Sequence, residues 1–346
     1  MTISGRFDVL VVMAGRQLWS HLDALAQWGE DLKHLAILTA EGDDETGGPV
    51  DRLRAFALRV FPHLTVTVLG PVHDDDPEAV FDAIAGVARE LGGEVVVNAS
   101  GGTRLMFLGA SKATHLLPAV TTVFRDDDGP WYRLSADGGA ELLGFLDADA
   151  TDRFEVLDLL QVTWADEERR VVHRASPPPA HLVRAAAACL DGKHFARAFE
   201  EAQRAAGRPT SDGHAFEQFV QALVTQLGAD ADDVAVSVEL CDRKRRVQEV
   251  DVVVNANGRL HVIDCKYRAR TEVPLGAQIR EAYATRQLLG DDAAQVILLR
   301  PLSTVPEHTR ALASDYGIRL LDSGALQSRS LPEQLSLLLG VGRGRR

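Results

Sequence analysis

An Asn-Gly pair between two apolar runs constrains the fold of this chain more than any other sequence feature. Residues 250–268 read VDVVVNANGRLHVIDCKYR, and Asn257-Gly258 separates two stretches rich in β-branched side chains. Asn-Gly in this setting favours a two-residue type I′ turn, so we expect an antiparallel β-hairpin. Such a turn places Asp251 directly opposite Asp264, with their Cβ atoms about 4.5–5.5 Å apart.

The predicted hairpin therefore carries two facing acids that do not stabilise a strand pair. Lys266 shares their face because side chains alternate along a strand, whereas Cys265 points to the other face. A divalent cation such as Mg²⁺ relieves the repulsion between the carboxylates and leaves room for phosphate oxygens. Two acids and a lysine so placed are what metal-assisted phosphodiester hydrolysis requires. The alternative is an ordinary hairpin with solvated surface charges.

Asp251 followed by IDCK at residues 263–266 resembles the catalytic motif of the PD-(D/E)xK nuclease superfamily. The resemblance implies a restriction-endonuclease-like α/β domain, which we place at residues 209–340. It also implies an acid from a preceding helix. Glu217, in the amphipathic helix expected at residues 214–227, matches that acid.

The same resemblance implies roles for the residues of the hairpin. Asp251, Asp264 and the backbone carbonyl of Cys265 are expected to bind Mg²⁺ or Mn²⁺. Lys266 is expected to position the attacking water, and Glu217 to support the outer shell of the metal.

The first half of the chain alternates strand and helix signals, which is typical of a doubly wound parallel sheet. Strands are expected at residues 7–14, 35–40, 64–70 and 94–98, helices at 18–28, 50–61, 76–91 and from 104, and a hairpin at 124–146. The sequence thus predicts an α/β fold, and 346 residues exceed one ordinary core. We divide the chain into domains at 1–148 and 209–340, joined by a helical and linker region at 149–208.

The turn between the fourth strand and its helix is the second chemical signal. It reads NASGGTR at residues 98–104, and its backbone N–H groups and helix N-terminus suit a phosphate or another electron-rich group. Ligands of open α/β sheets lie at the carboxyl ends of strands. The candidate ligand-binding residues there are Gly15, Arg16, Gln17, Thr39, Asn98, Ser100, Gly101, Gly102, Thr103 and Arg104. The alternative is that the glycines only turn the chain. No G-x-G-x-x-G follows the first strand and no P-loop lysine pattern occurs, which disfavours NAD and ATP.

NASGGTRLM at residues 98–106 resembles the signature of the CARF domain, the CRISPR-associated Rossmann-like sensor of cyclic oligoadenylates. The resemblance covers about residues 5–145 and implies a cyclic oligoadenylate activator, with cyclic tetra-adenylate favoured. Arg104 stands where that family often has Lys, and its planar, bidentate guanidinium changes the geometry offered to a ligand. A CARF domain fused to a PD-(D/E)xK domain is similar to the ancillary nucleases of type III CRISPR defence, in which Glu often replaces Asp264.

Composition narrows the partners of the chain. A net charge of −13, from 37 basic and 50 acidic residues, argues against an extended nonspecific nucleic-acid coat but allows a local basic site. Arg243-Lys244-Arg245-Arg246 is the one dense cationic run, and it is either a solvated loop or a phosphate-steering patch. The three cysteines show no paired spacing, which favours a reducing compartment. No apolar run is long enough for a membrane span, and the N-terminus shows no secretory signal. We therefore expect a cytoplasmic protein.

Three function classes remain open at this stage. The first is a metal-dependent nuclease that cleaves DNA, RNA or both when cyclic oligoadenylate binds. The second is a ligand-responsive regulator that binds nucleic acid without cleavage. The third is a metabolic enzyme acting on a nucleotide, which would need a catalytic base near the NASGGTR turn. Because a cyclic ligand with rotational symmetry is best matched by two identical turns across a two-fold axis, we expect a homodimer.

Overall fold

A computed structural model of the chain divides it into two compact units. The described residues are 7–14, 18–40, 48–73, 75–125, 129–144, 154–165, 168–173, 176–229, 233–243, 245–256, 258–267, 274–289 and 294–341. The first unit is the described part of Met1–Phe154 and Ala165–Glu168, and the second is that of Glu155–Trp164 and Arg169–Arg346. The predicted ligand contacts Gly15, Arg16 and Gln17 lie outside the described residues, as do Lys244 and Asn257. No helix in the described ranges is long and apolar enough to cross a membrane.

The first unit is a sheet with helices alternating along the chain, as the sequence predicts. Its strands are β1 (Val9–Ala14), β2 (His34–Ala40), β3 (Thr65–Val72), β4 (Val95–Asn98), β5 (Val120–Arg125), β6 (Trp131–Leu134) and β7 (Ala140–Gly144). Its helices are α1 (Trp19–Trp28), α2 (Pro49–Val60), α3 (Pro77–Leu91) and α4 (Arg104–Leu116).

The order of strands in this sheet places two strand ends side by side. The order is β3-β2-β1-β4-β5-β6-β7, parallel from β3 to β5 and antiparallel beyond β5. β1 is buried along its whole length because its Val, Leu and Met side chains are covered on both faces. The direction of winding reverses between β1 and β4. The carboxyl ends of those two strands are therefore where an open α/β sheet binds its ligand, and β4 ends at Asn98.

The second unit is also built on one sheet. Its strands are β8 (Arg169–Val172), β9 (Val234–Asp242), β10 (Arg245–Ala256), β11 (Arg259–Cys265), β12 (Ala294–Arg300) and β13 (Ile318–Asp322). Its helices are α5 (Val156–Trp164), α6 (Ala180–Leu190), α7 (Phe195–Ala205), α8 (Gly213–Leu227), α9 (Leu275–Leu288), α10 (Glu307–Asp315), α11 (Ala325–Ser328) and α12 (Leu331–Leu339).

The hairpin predicted from the Asn-Gly pair lies at the centre of this second sheet. The strand order is β13-β12-β11-β10-β9-β8, with β11, β12 and β13 parallel and the other pairs antiparallel. The β10–β11 register runs from Val252 opposite Ile263 to Ala256 opposite Arg259, which confirms the predicted two-residue turn. Gly258 has φ +75°, the left-handed backbone that a type I′ turn needs.

The apolar core beneath the hairpin explains the helical segment that precedes it. Phe216 and Phe219 of α8 pack in one cluster with Ile263 of β11, and this cluster also takes in Leu182 of α6 and Phe199 of α7. Helices α6 and α7 therefore complete the core of the second unit. The predicted boundaries at residues 148 and 208 stay predictions.

Strand β9 has no counterpart among the elements predicted from the sequence. Most of its side chains are buried, so it shows a nearly continuous apolar run rather than a clean alternation. Arg245 and Arg246 begin β10. The interpretation of the whole cationic run as a loop is therefore wrong, because these two arginines pair in register with Asp242 and Cys241 of β9.

Candidate active site and ligand-binding turn

The hairpin brings Asp251 and Asp264 together as its register requires. They occupy the positions next to the Val252–Ile263 pair on the two facing strands. Asp251 Oδ2 accepts a 2.7 Å hydrogen bond from the backbone N–H of Cys265. Burial raises the pKa of Asp264 to about 7, and the neighbouring Asp251 adds to this rise while Lys266 opposes it.

The Lys266 ammonium contacts both acids and offsets part of their negative charge. Its ammonium forms an ion pair with Asp264 and lies 3.3 Å from Asp251 Oδ2. Burial alone would lower the pKa of Lys266, but the charges of Asp264 and Asp251 outweigh it and hold the pKa above its usual range. The three groups predicted to act together are thus in direct contact.

Glu217 lies close enough to the pair to respond to its charge. Burial and, to a smaller extent, the Asp251 carboxylate together raise the pKa of Glu217 to about 7. His214 Nδ1 lies 3.2 Å from Glu217 Oε2, and the hydroxyl of Ser237 donates to the same oxygen at 3.0 Å. The sequence predicted the acid but neither of these partners, because Ser237 belongs to the unpredicted strand β9.

A cleft of about 420 Å³ opens beside the acids. Its walls are Arg246, Val247, Gln248, Glu249, Val250, Asp251, Val262, Asp264, Lys266, Glu281, Ala282, Thr285 and Val296. Glu281 and Thr285 of α9 are candidate site residues that sequence reasoning missed. Arg246 pairs with Glu239 and Glu249, so its charge is partly neutralised at the rim of the cleft.

Arg300 is a second residue that the sequence gave no reason to single out. In the parallel pairing of β11 with β12, Cys265 lies opposite Leu299. The residues that follow these two are Lys266 and Arg300, which are therefore level with each other. Arg300 is 7% exposed, and its Nε has no hydrogen-bond partner among the described residues. Burial lowers the pKa of Arg300, while Asp264 and Asp322 oppose that shift. The guanidinium thus contributes positive charge to the surroundings of Asp264.

The carboxylate oxygens of Asp251 and Asp264 are suitable ligands for a divalent cation. Within the described residues, no group of three or more His, Cys, Asp and Glu side chains is arranged to hold a metal ion. A metal would therefore draw on Asp251, Asp264 and the Cys265 carbonyl, with water or phosphate filling the remaining positions, as Mg²⁺ prefers. The facing acids already attract an ammonium group, which shows that this position favours a positive charge.

The NASGGTR turn of the first unit rests on a buried histidine. His21 of α1 is fully buried, and its Nε2 donates to the Met13 carbonyl at 2.9 Å. Asn98 Nδ2 donates to the Ser20 carbonyl at 2.8 Å and approaches His21 Nδ1 at 3.4 Å. The Asn98 side-chain oxygen accepts from the Ser100 N–H at 3.0 Å. The buried Asn98 thus shapes the turn from below, and its direct contact with a ligand stays a prediction.

Ser100 and Arg125 fix the far side of the same turn. The Ser100 hydroxyl accepts from the Arg125 backbone N–H at 2.8 Å, and the Arg125 guanidinium forms an ion pair with Asp23 of α1. His21, Asp23 and Arg125 were not found from the sequence, because they lie far from the turn along the chain and show no local motif.

The remaining predicted ligand contacts differ in their exposure. Gly102, Thr103 and Arg104 are exposed, and the Thr103 side chain caps α4 by accepting from the Met106 N–H at 3.2 Å. Thr39 is buried, and its hydroxyl donates to the Leu69 carbonyl at 3.3 Å. The accessible surface of the turn is therefore formed by the helix N-terminus and the Arg104 guanidinium.

Comparison with known proteins finds likeness in structure but not in sequence. No family model and no curated protein sequence matches the chain. Protein VC1899 from Vibrio cholerae superposes with a TM-score of 0.69 at 15% identity, over 96% of this chain and 98% of that one. Can2 from Sulfobacillus thermosulfidooxidans, solved with cyclic tetra-adenylate, gives 0.68 at 17% identity over 96% and 100%. A type III CRISPR defence DNA nuclease activated by cyclic oligoadenylate gives 0.58 at 19% identity, over 88% of this chain and 47% of that one. The chain therefore shares the two-sheet α/β fold of these proteins.

Proposed function

We propose that this protein is a metal-dependent nuclease switched on by a cyclic oligoadenylate in type III CRISPR defence. The observation that carries the proposal is the contact of Asp251, Asp264 and Lys266 beside an open cleft. In this reading the second unit contains a PD-(D/E)xK nuclease domain at residues 209–340, and residues 1–148 form a CARF sensor.

The cleaving unit would bind Mg²⁺ or Mn²⁺ through Asp251, Asp264 and the Cys265 carbonyl. Bound there, the ion supplies a Lewis acid and lowers the pKa of a water molecule. Lys266 orients that water and offsets charge that builds up on the phosphate. Glu217, held by His214 and Ser237, serves as a further acid at the edge of the site.

The sensing unit would bind cyclic tetra-adenylate at the NASGGTR turn. Support comes from the exposed Gly102 and Arg104 at the N-terminus of α4, which suit phosphate or the electron-rich edge of a base. It also comes from the shared fold with Can2, which was solved with that ligand. We include Gly15, Arg16 and Gln17 in the proposed site, and a homodimer that offers two such turns to one ring.

One cleavage assay tests the proposal. Labelled single-stranded RNA, single-stranded DNA and supercoiled plasmid are incubated with Mg²⁺ or Mn²⁺, with and without cyclic tri-, tetra- and hexa-adenylate. We expect cleavage that needs both the metal and cyclic tetra-adenylate. Asp264→Asn should remove this cleavage. Asp315→Asn, the same substitution at an exposed residue that ends α10, is its control and should cut like wild type. Ligand-dependent binding of nucleic acid without any cleavage would instead support the regulator.

A further inference from the structure

We infer that Ser237 is a positioning residue for Glu217, and that strand β9 is held in an unfavourable backbone conformation to place it. The inference rests on the proposed function, since it assigns Glu217 to the nuclease site. It begins from the backbone: Ser237 has φ +49° in the interior of β9. Among the described non-glycine residues only Arg243 shares this left-handed conformation, and Arg243 lies in a turn.

A serine in this conformation inside a strand is strained. Its Cβ crowds the backbone there, which makes this conformation unfavourable relative to ordinary strand geometry. Such strain persists only where the surrounding structure imposes it, and it is concentrated at functional sites. The strand continues on both sides in an unbroken register, with Val236 opposite Val252 and Val238 opposite Val250. Ser237 is therefore a local distortion within regular pairing.

The pairing of β9 with β10 indicates why the Ser237 backbone is distorted. Counted from the pairs on either side, Val236 with Val252 and Val238 with Val250, Ser237 lies level with Asp251. Counted from Val252 with Ile263, Asp251 lies level with Asp264 on β11. The three residues thus form one row over three adjacent strands. In a regular strand the Ser237 side chain would point to the same face as Asp251. Its hydroxyl instead donates to Glu217 Oε2 of helix α8 at 3.0 Å.

His214 completes this arrangement. Its Nδ1 lies 3.2 Å from both Glu217 Oε2 and the Ser237 hydroxyl, so an Nδ1–H is shared between the two oxygens. The Glu217 side chain is 14% exposed, whereas that of His214 is 55% exposed. Ser237 therefore supplies the better-shielded of the two hydrogen bonds. Without it, the solvent-exposed His214 is the one side chain among the described residues that still hydrogen-bonds the half-buried Glu217 carboxylate.

Paired substitutions separate this role from a merely structural one. Ser237→Gly removes the hydroxyl and the strain, while Ser237→Ala removes the hydroxyl and keeps the strain. We expect both variants to lose the same 10- to 100-fold in kcat, about the cost of removing an outer-shell partner, with KM unchanged. Their melting temperatures should differ, with Ser237→Gly at least as stable as wild type and more stable than Ser237→Ala.

A double substitution tests whether Ser237 acts through Glu217. Ser237→Gly combined with Glu217→Gln should cut no more slowly than Glu217→Gln alone, because the second change then removes nothing further. Additive losses would overturn the inference, as would wild-type kcat in Ser237→Gly.

A crystal structure of Ser237→Gly tests whether Ser237 positions Glu217, and this test does not depend on measuring cleavage. We expect the Glu217 carboxylate to leave its place between Ser237 and His214, and an unmoved carboxylate would refute the inference. If wild-type protein cuts none of the substrates, the proposed function fails, and this crystal structure still tests whether Ser237 positions Glu217.

Discussion

The NASGGTR turn leaves no room for a side chain at Gly101, and this makes Gly101→Ala the most informative single change in the first unit. A Cβ built on Gly101 would lie 2.5 Å from His21 Cε1, 2.6 Å from His21 Nε2 and 3.0 Å from the Met13 carbonyl oxygen. Moving the His21 side chain costs free energy, because it is fully buried and its Nε2 donates to that same carbonyl. The substitution must therefore displace either the histidine or the turn.

The magnitude follows from the two ways in which the strain can be relieved. If His21 moves, its buried hydrogen bond is lost, which costs about 1–3 kcal/mol. If the turn moves, the cost is that of overpacking, also about 1–3 kcal/mol. We therefore expect the first unit to lose about 1–3 kcal/mol of unfolding free energy, whichever of the two responses dominates. The exposed Gly102 and Arg104 should shift with the turn, so activator affinity should fall at least about tenfold, equivalent to about 1.4 kcal/mol.

Gly86→Ala provides the matched control. Gly86 lies inside α3 and has no atom within 4 Å of a built Cβ. Alanine there should stabilise the helix by about 0.5–1 kcal/mol and leave activator binding unchanged. Denaturant unfolding gives the stability of each variant, and calorimetric titration with cyclic tetra-adenylate gives its affinity. If Gly101→Ala matches Gly86→Ala in both measurements, the described packing of the turn on His21 is wrong.

Further predictions concern the division of labour, pH and assembly. Arg104→Ala should weaken activator binding and leave activator-independent cleavage at high Mn²⁺ unchanged. Asp264→Asn should bind activator normally and cut nothing. Activator bound as tightly by Arg104→Ala as by wild type, or cleavage by Asp264→Asn, would contradict the roles proposed for these residues. Burial lowers the pKa of His21 in the first unit from 6.5 to about 4, so the unfolded chain binds a proton that the folded chain does not. The stability of the first unit should thus fall as pH drops below about 6.5, by about 2 kcal/mol at pH 5, and a flat unfolding free energy of that unit between pH 7 and pH 5 would argue against a buried neutral His21. Light scattering should report twice the 37.5 kDa chain mass, and a monomer with and without cyclic tetra-adenylate would count against the homodimer.

The sequence predicted the hairpin that carries Asp251 and Asp264 well because the determinants of this hairpin are local. Asn257-Gly258 sets the turn, the turn sets the register, and the register places Asp251 opposite Asp264. The alternation of strands and helices in the first unit was predictable for the same reason, since each buried run is continuous in sequence.

The residues that the sequence did not reveal depend on contacts between distant segments. His21 supports Asn98 from 77 residues away, and nothing near either residue signals the other. Arg300 reaches the level of Lys266 only through the parallel pairing of β11 with β12, which no turn specifies. Ser237 was missed for a further reason. Its left-handed backbone contradicts the local preference of a strand, so nothing in the sequence of β9 signals it.

The two candidate sites share a design in which the reactive surface is supported by polar groups buried behind it. In the first unit, Asn98 and His21 are fully buried and hold the turn whose outer atoms are free to meet a ligand. In the second, the Ser237 hydroxyl holds the Glu217 carboxylate beside Asp251. Because such groups cost free energy unless every partner is in place, each site should have few alternative arrangements. An activator can switch cleavage only by favouring one of two arrangements over the other. The turn and the hairpin should therefore respond to ligand as rigid bodies, and the change that couples them should occur in the segments between these supported sites.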